Sequence, residues 1–468
     1  AAFDICNDNF SELYGGTTTA LAFKAEGTNF TGSLIIGHST TGTISSATYN
    51  TALGIGAMDA ITQGDYNVAI GYNAATTLTT GINNVLIGGL AGDGLTTASN
   101  NVALGHQALS TEDTGGRNIA IGYQALLNQN YDGYAYNVAM GYSAGKEITT
   151  GTNNTIIGGL AGDALTTGGG NTVLGYSALS AEDTGSRNVA IGQEALGALN
   201  YDGEAYNTAV GFAAGKLVST GLRNTLIGGN AGDAITTGVD SVAVGHNALG
   251  ALTIGHNNVA IGKDALATSV DGDYNTAVGY EALKTYEDGD GNGFNTAIGA
   301  KAMKLATTAE YNTSLGYNAL GNATMTGDSN VAVGYAAGME MTSGVNNVLM
   351  GRGAGDAITT GDQNIAIGHL ALSQEDSGNN STAIGYYALY NQNNDSDNYN
   401  VAVGHSAGQS ITTGTLNTLI GAFAGDALVT GAYNTAVGYE ALSTEDGHST
   451  NTAIGYQTLK AQNAGADA

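Results

Sequence analysis

The stretch Asn67-Val68-Ala69-Ile70-Gly71-Tyr72-Asn73-Ala74 decides the fold, because the chain repeats it. It returns as NVALGHQA from Asn101, NIAIGYQA from Asn118 and NTAIGYQT from Asn451. Its glycine stands at Gly37, Gly54, Gly71, Gly88, Gly105 and Gly122, 17 residues apart, and recurs as far as Gly455 in 25 copies. A few spacings widen to 18–20 residues. A fixed period of this size is the mark of a stacked repeat. The expected fold is an all-β parallel β-solenoid of about 25 coils of 17 residues.

Each column of the repeat has a physical reading. The residue before the motif glycine is Ile, Val, Leu or Met in every copy. A column that admits no polar residue reads as a core stripe, each member contributing roughly 1.5–3 kcal/mol on burial. The glycine itself reads as a corner or a close backbone approach. Asn opens 22 copies, and Ser33, Ser241 and Ser381 open the others. Asn tolerates left-handed backbone, and its amide can bond the coils above and below in a ladder. Thr-Thr-Gly, as at Thr79, Thr80 and Gly81, is a second turn signal in many coils, so two short strands per coil are expected. A helix is excluded by the glycine content and by apolar runs too short for a 3.6-residue stripe.

Composition agrees. The 468 residues include 74 Gly and no Pro or Trp, yet 42% are apolar, which argues against disorder. A chain without Pro suits strands paired on both sides. The net charge of −28, with 12 basic residues, excludes a nucleic-acid partner. No run reaches the length of a transmembrane helix, so no membrane insertion is expected. Cys6 is the one cysteine and permits no intrachain disulfide.

Three segments follow. Residues 1–32 do not repeat and are expected to be a cap, an attachment or a donated strand, since solenoid ends must be closed or joined. Residues 33–458 form the repeat shaft, and 459–468 are a polar tail. Coils ending near Gly141, Gly211, Gly299 and Gly404 carry two or three extra residues in polar segments such as NQNYDGYAYN, ending at Asn137. Such insertions predict loops at one edge of an intact ladder. Gly88, Gly158 and Gly228 are 70 apart, as are Gly351 and Gly421, which indicates duplicated four-coil blocks.

In NVAIG, Ile and Val share one side of a strand and Ala faces the other. The Ala column is Ala in 17 copies and apolar in the rest except Ser314. With both sides apolar, one is expected to face the coil interior and the other, the small-residue side, to meet parallel copies of the rod in a homotrimer. Where the Ala position is large (Leu86, Ile156, Leu226, Leu349, Leu419), the residue after the motif glycine is Gly89, Gly159, Gly229, Arg352 or Ala422 rather than the usual Tyr or His. In all but the Arg352 pair this reads as an exchange of bulk for bulk.

The NVAIGxxA motif resembles the head repeats of trimeric autotransporter adhesins, which form a left-handed parallel β-roll. It is also similar to NTAIGYQAL-type repeats in tail fibres of phages and large viruses. The resemblance spans roughly residues 33–458 and implies a trimeric extracellular fibre on a virion appendage or cell surface. It also implies a glycan or protein receptor, and a C-terminal chaperone lost beyond the AQNAGADA tail. The 17-residue period is longer than that of the adhesin heads, and no membrane anchor is present.

Acidic pairs recur at Glu112-Asp113, Glu182-Asp183, Glu375-Asp376 and Glu445-Asp446. Paired carboxylates suit glycoside hydrolysis, but four copies at one coil position point to structure, so no enzyme is expected. Each pair lies one coil after an Asp, namely Asp93, Asp163, Asp356 or Asp426. Stacked in register, these twelve carboxylates form a candidate Ca²⁺ set, since Ca²⁺ takes several oxygens; the plainer expectation is that each Asp caps a turn. His106, His246, His369 and His405 replace Tyr after the motif glycine and read as surface aromatic positions, not metal ligands. Thr pairs are too incomplete for a flat ice-binding array. The leading expectation is a structural fibre with an attachment or spacer role. The alternatives are a secreted subunit polymerising end to end through its N-terminal segment, and a polysaccharide-degrading spike.

Overall fold

The computed structural model of the protein describes residues 23–24, 31–36, 45–287 and 291–460. Cys6, most of the 1–32 segment and the tail after Lys460 lie outside the described residues. The protein is an all-β parallel solenoid with one three-residue strand per coil. It divides into two compact units, Ala1–Phe212 and Ala213–Ala468. The first runs from β1 (Phe23–Lys24) and β2 (Leu34–Ile36) to β12 (Thr208–Val210). The second runs from β13 (Thr225–Ile227) to β26 (Thr452–Ile454).

Within each unit, neighbouring strands pair in parallel with like residues side by side, as Val68↔Val85, Ala69↔Leu86 and Ile70↔Ile87. The expected second strand is absent from the described residues: five isolated parallel bridges, such as Gly116↔Tyr134 and Ser186↔Glu204, are all that accompany the main ladder. A coil of 17 residues with three or more tight turns has no room for a second straight run. Insertions leave the ladder in register, since Ile119 pairs with Val138, 19 residues on. β1 pairs antiparallel with β2, Phe23 opposite Ile36, and so occupies its outer edge.

The two sides of the strand are the reverse of the sequence expectation. The central Ala is the core residue: Ala69, Ala103, Ala260 and their counterparts have no solvent exposure. The aliphatic column before the glycine faces outward, with Ile298 38% and Leu315 46% exposed. The Ala column therefore packs inside its own coil and cannot join rods. Volume explains the inversion, because a coil this short encloses too little space for a bulky residue at every strand. The remaining interior is filled from the turns, by Ala74, Ala75 and Leu78 in one coil and Ala108 and Leu109 in another.

The bulk exchange is real but has a different partner. Leu86 points inward, and a Cβ on Gly92 would lie 2.9 Å from its Cδ2. Gly162, Gly232, Gly355 and Gly425 hold the corresponding place beside Ile156, Leu226, Leu349 and Leu419. Where the centre is Ala, that place carries residues such as Leu109 and Leu126, or a glycine such as Gly145, Gly338 or Gly408 that meets the large centre of the following coil, Ile156, Leu349 or Leu419. One cavity is thus filled from the strand or from the turn.

The motif glycine matches its expectation. Gly262 has φ of +131°, and a Cβ there would sit 2.5 Å from the carbonyl oxygen of Gly279 in the next coil. The Asn column forms the expected ladder. Asn67 N–H donates to Asn50 Oδ1 at 2.9 Å, Asn84 N–H to Asn67 Oδ1 at 2.9 Å, and Asn67 Nδ2 to Gly81 O at 2.8 Å. Left-handed backbone falls instead on the preceding residue, such as Tyr66 (φ 58°) or Asn83 (φ 59°). Ser preserves the acceptor role, as Ser33 Oγ accepts from Asn50 N–H at 2.7 Å.

Candidate functional site

The acidic pairs occupy a core column. Seven residues after each motif glycine stand Ile61, Leu78, Leu95, Ile148 and Leu165, all buried; Glu112, Glu182, Glu375 and Glu445 take the same place and are equally buried. The following Asp is half-buried at Asp113, Asp183 and Asp376 and exposed at Asp446. Its backbone oxygen is what the ladder uses: Asp113 O accepts from Thr96 N–H at 2.7 Å and Asp183 O from Thr166 N–H at 2.6 Å.

The buried carboxylates hold turns. Glu112 accepts from Gly115 N–H at 2.7 Å and from Tyr131 N–H, in the inserted segment of the next coil, at 3.3 Å. Glu182 repeats this with Gly185 and Tyr201. Glu375 accepts from Gly378 N–H at 2.7 Å, Gln392 Nε2 at 2.9 Å and Asn398 Nδ2 at 3.1 Å. Burial pushes Glu112 up to about 7 despite these donors, and raises Glu182 for the same reason. Gln129 and Gln392, buried in the same column, were not singled out from sequence. Gln129 accepts from Asn137 Nδ2 at 2.7 Å, and Gln392 from Asn400 Nδ2 at 2.9 Å. The signal was legible: a polar residue in a column that is aliphatic in most coils.

The aspartates one coil earlier are half-buried. Asp93 accepts from Ser110 Oγ, and Asp356 from Ser373 Oγ at 2.6 Å. Asp163 and Asp426 each keep a buried Oδ1 with no hydrogen-bond partner, and burial pushes Asp426 up to about 6. Among the described residues, Asp93, Asp163, Asp356 and Asp426 form no group of three potential ligands with the acidic pairs. The one such group is Glu445, Asp446 and His448, whose ligand atoms lie within 4.8 Å of one another. His448 was missed, since it falls outside the aromatic column that claims His106, His246, His369 and His405.

The outward face of the sheet is aliphatic in its Ile/Val/Leu/Met column and divided between aliphatic residues and Thr in the other. It carries the Val/Thr and Ile/Val/Leu columns of the strands, and aromatic residues recur in the columns on either side, interrupted by polar ones such as Asn83, Arg117 and Asp240. After the motif glycine, His106, Tyr123 and Tyr142 stack at 5.7 and 5.2 Å with interplanar angles of 9°. Before the motif Asn, Tyr274, Phe294 and Tyr311 stack at 5.1 and 5.4 Å. These rings cover each other's faces and leave their edges to solvent. Near one insertion Arg117 lies 4.2 Å over the Tyr134 ring and donates to Tyr136 Oη at 2.6 Å. The first Thr of Thr-Thr-Gly is spent internally, as Thr79 Oγ1 donates to Thr96 O at 3.0 Å.

No protein-family model and no curated protein matches this sequence. Among the described residues no helix is long and apolar enough to cross a membrane.

Proposed function

We propose that the protein is a structural fibre subunit that associates side by side with copies of itself, as a homotrimer, and serves as an attachment or spacer element outside the cell or virion. The observation that carries this reading is the exposed apolar sheet face. Monomeric proteins seldom expose a contiguous apolar patch beyond a few hundred Å². Seven residues from aromatic column to aromatic column span about 20 Å, and strands repeat every 4.8 Å or so, giving about 100 Å² per coil. Roughly eight coils then supply the ~800 Å² per partner of an ordinary stable interface. Identical columns favour a second copy over an unrelated partner, because aliphatic and aromatic stripes then meet in register.

The reading as a non-enzyme draws on the recurrence of the acidic pairs and on the use of Glu112, Glu182 and Glu375 as acceptors for turn N–H groups. End-to-end growth through the N-terminal segment is supported less, because β1 already occupies the free edge of β2. A glycan receptor would meet ring edges rather than open ring faces.

Light scattering on the purified chain tests the proposal. Assembly to three times the 46.7 kDa chain mass is expected, independent of concentration over a wide range. A stable monomer would refute it, and mass rising without limit would favour the filament.

A further inference from the structure

We propose that Glu445, Asp446 and His448 form a binding site for a divalent transition-metal cation of the Zn²⁺ class. The argument starts from a comparison within the chain. In the three sibling copies the turn residue three after the buried Glu is Gly115, Gly185 or Gly378. Each donates its N–H to that Glu at 2.7 Å. In the fourth copy that residue is His448, which donates its N–H to Glu445 Oε1 at 2.9 Å and also brings Nδ1 to within 2.5 Å of the same oxygen. The siblings satisfy their second carboxylate oxygen with donors from the next coil, such as Tyr131, Tyr201 and Gln392. Glu445 Oε2 is buried and, among the described residues, has no hydrogen-bond partner.

An orphaned buried oxygen in a fully buried carboxylate is a costly arrangement. A cation bound there removes that cost, and the neighbouring groups fit one. Ligand atoms of Glu445, Asp446 and His448 lie within 4.8 Å of one another. Around a metal with bonds of about 2.0–2.1 Å they need separations of roughly 3.3 Å, which side-chain rotation of about 1–2 Å supplies. The His448 side chain is 32% exposed and Asp446 is exposed, so the ion has a route in from solvent. An imidazole nitrogen among the donors selects Zn²⁺, Co²⁺ or Ni²⁺ over Ca²⁺, which prefers an all-oxygen set. The net charge of −28 raises the local concentration of any cation.

The test is calorimetric titration of the metal-free full chain with Zn²⁺ alone, with Ca²⁺ alone as a second arm. Saturable uptake of one Zn²⁺ per chain is expected, together with a visible ligand-field absorption when Co²⁺ replaces it. His448→Gly restores the sibling residue, and it should weaken Zn²⁺ binding by about tenfold or more and abolish the Co²⁺ band. Asp446→Asn, at an exposed position, should weaken binding with an unchanged melting temperature. Absence of saturable Zn²⁺ uptake, equal affinity in both variants, or tighter binding of Ca²⁺ than of Zn²⁺ would overturn the assignment.

Discussion

Single residues in this protein act through the coil that follows. Asn258 accepts from Asn275 N–H at 2.9 Å and donates to Gly272 O at 2.7 Å. Asn258→Ala strands both buried groups and is expected to cost on the order of 2–4 kcal/mol in urea titration. Asn258→Ser should cost about half as much, because Ser241 fills the acceptor role in the neighbouring coil, taking Asn258 N–H at 3.3 Å. Equal losses for Ala and Ser would remove the ladder as the reason for this column. Glu112 gives a pH dependence. Its folded-state value of about 7 lies above the ordinary 4.5, so the folded chain binds a proton that the unfolded chain has released between those values. Stability therefore falls as pH rises from about 4.5 to about 7 and is flat above. Glu112→Gln cannot ionise, so it should reduce the loss of melting temperature between pH 5 and pH 8, by a stability difference on the order of 1–3 kcal/mol. An unchanged pH slope would mean that the turn donors, not burial, govern this carboxylate.

At the scale of the coil, volume decides which way each column points, and this marks the limit of what the sequence shows. The period, the ladder pairing, the close approach at the motif glycine and the edge position of insertions were all legible, because each depends on spacing or on a residue type with one physical use. The sidedness of the strand was not. Val, Ala and Ile are all apolar, and alternation alone cannot say whether one small or two large residues face inward. The deciding fact is the cross-section of the coil, which Gly92 and its counterparts reveal only once Leu86 is seen beside them. His448 was hidden likewise, since Glu445 was grouped with the other acidic pairs and not with the buried column that Ile61 and Leu78 occupy. The inward assignment has a direct consequence: Leu226→Ala empties a fully buried site and should cost about 2–5 kcal/mol. Outward Ile227, 40% exposed, should lose under about 1 kcal/mol as Ala in the isolated chain. Thermal melts of the two variants decide between the orientations. Gly262→Ala, which drives a Cβ onto the Gly279 backbone, should abolish hydrogen-exchange protection in its own and adjacent coils, because each coil contacts only its neighbours.

At the scale of the whole molecule, two terms oppose one another in self-association. Burying the aliphatic and aromatic columns of the sheet face favours assembly by about 25 cal/mol per Å² of apolar area. Bringing together chains of net charge −28 disfavours it. The apolar contribution is nearly insensitive to moderate salt, whereas repulsion between exposed carboxylates is screened once the Debye length falls from about 30 Å at 0.01 M to about 8 Å at 0.15 M. Assembly through the apolar face is therefore expected to strengthen as salt is raised, the reverse of an interface held by ion pairs. Sedimentation across that salt range measures the shift. Ile261→Asp, on an outward position 38% exposed, places a charge in the centre of the proposed interface. It should convert the oligomer to monomer at every ionic strength without lowering the melting temperature of the isolated chain. Dissociation on adding salt, or an Ile261→Asp chain that still assembles, would place the contact elsewhere on the solenoid.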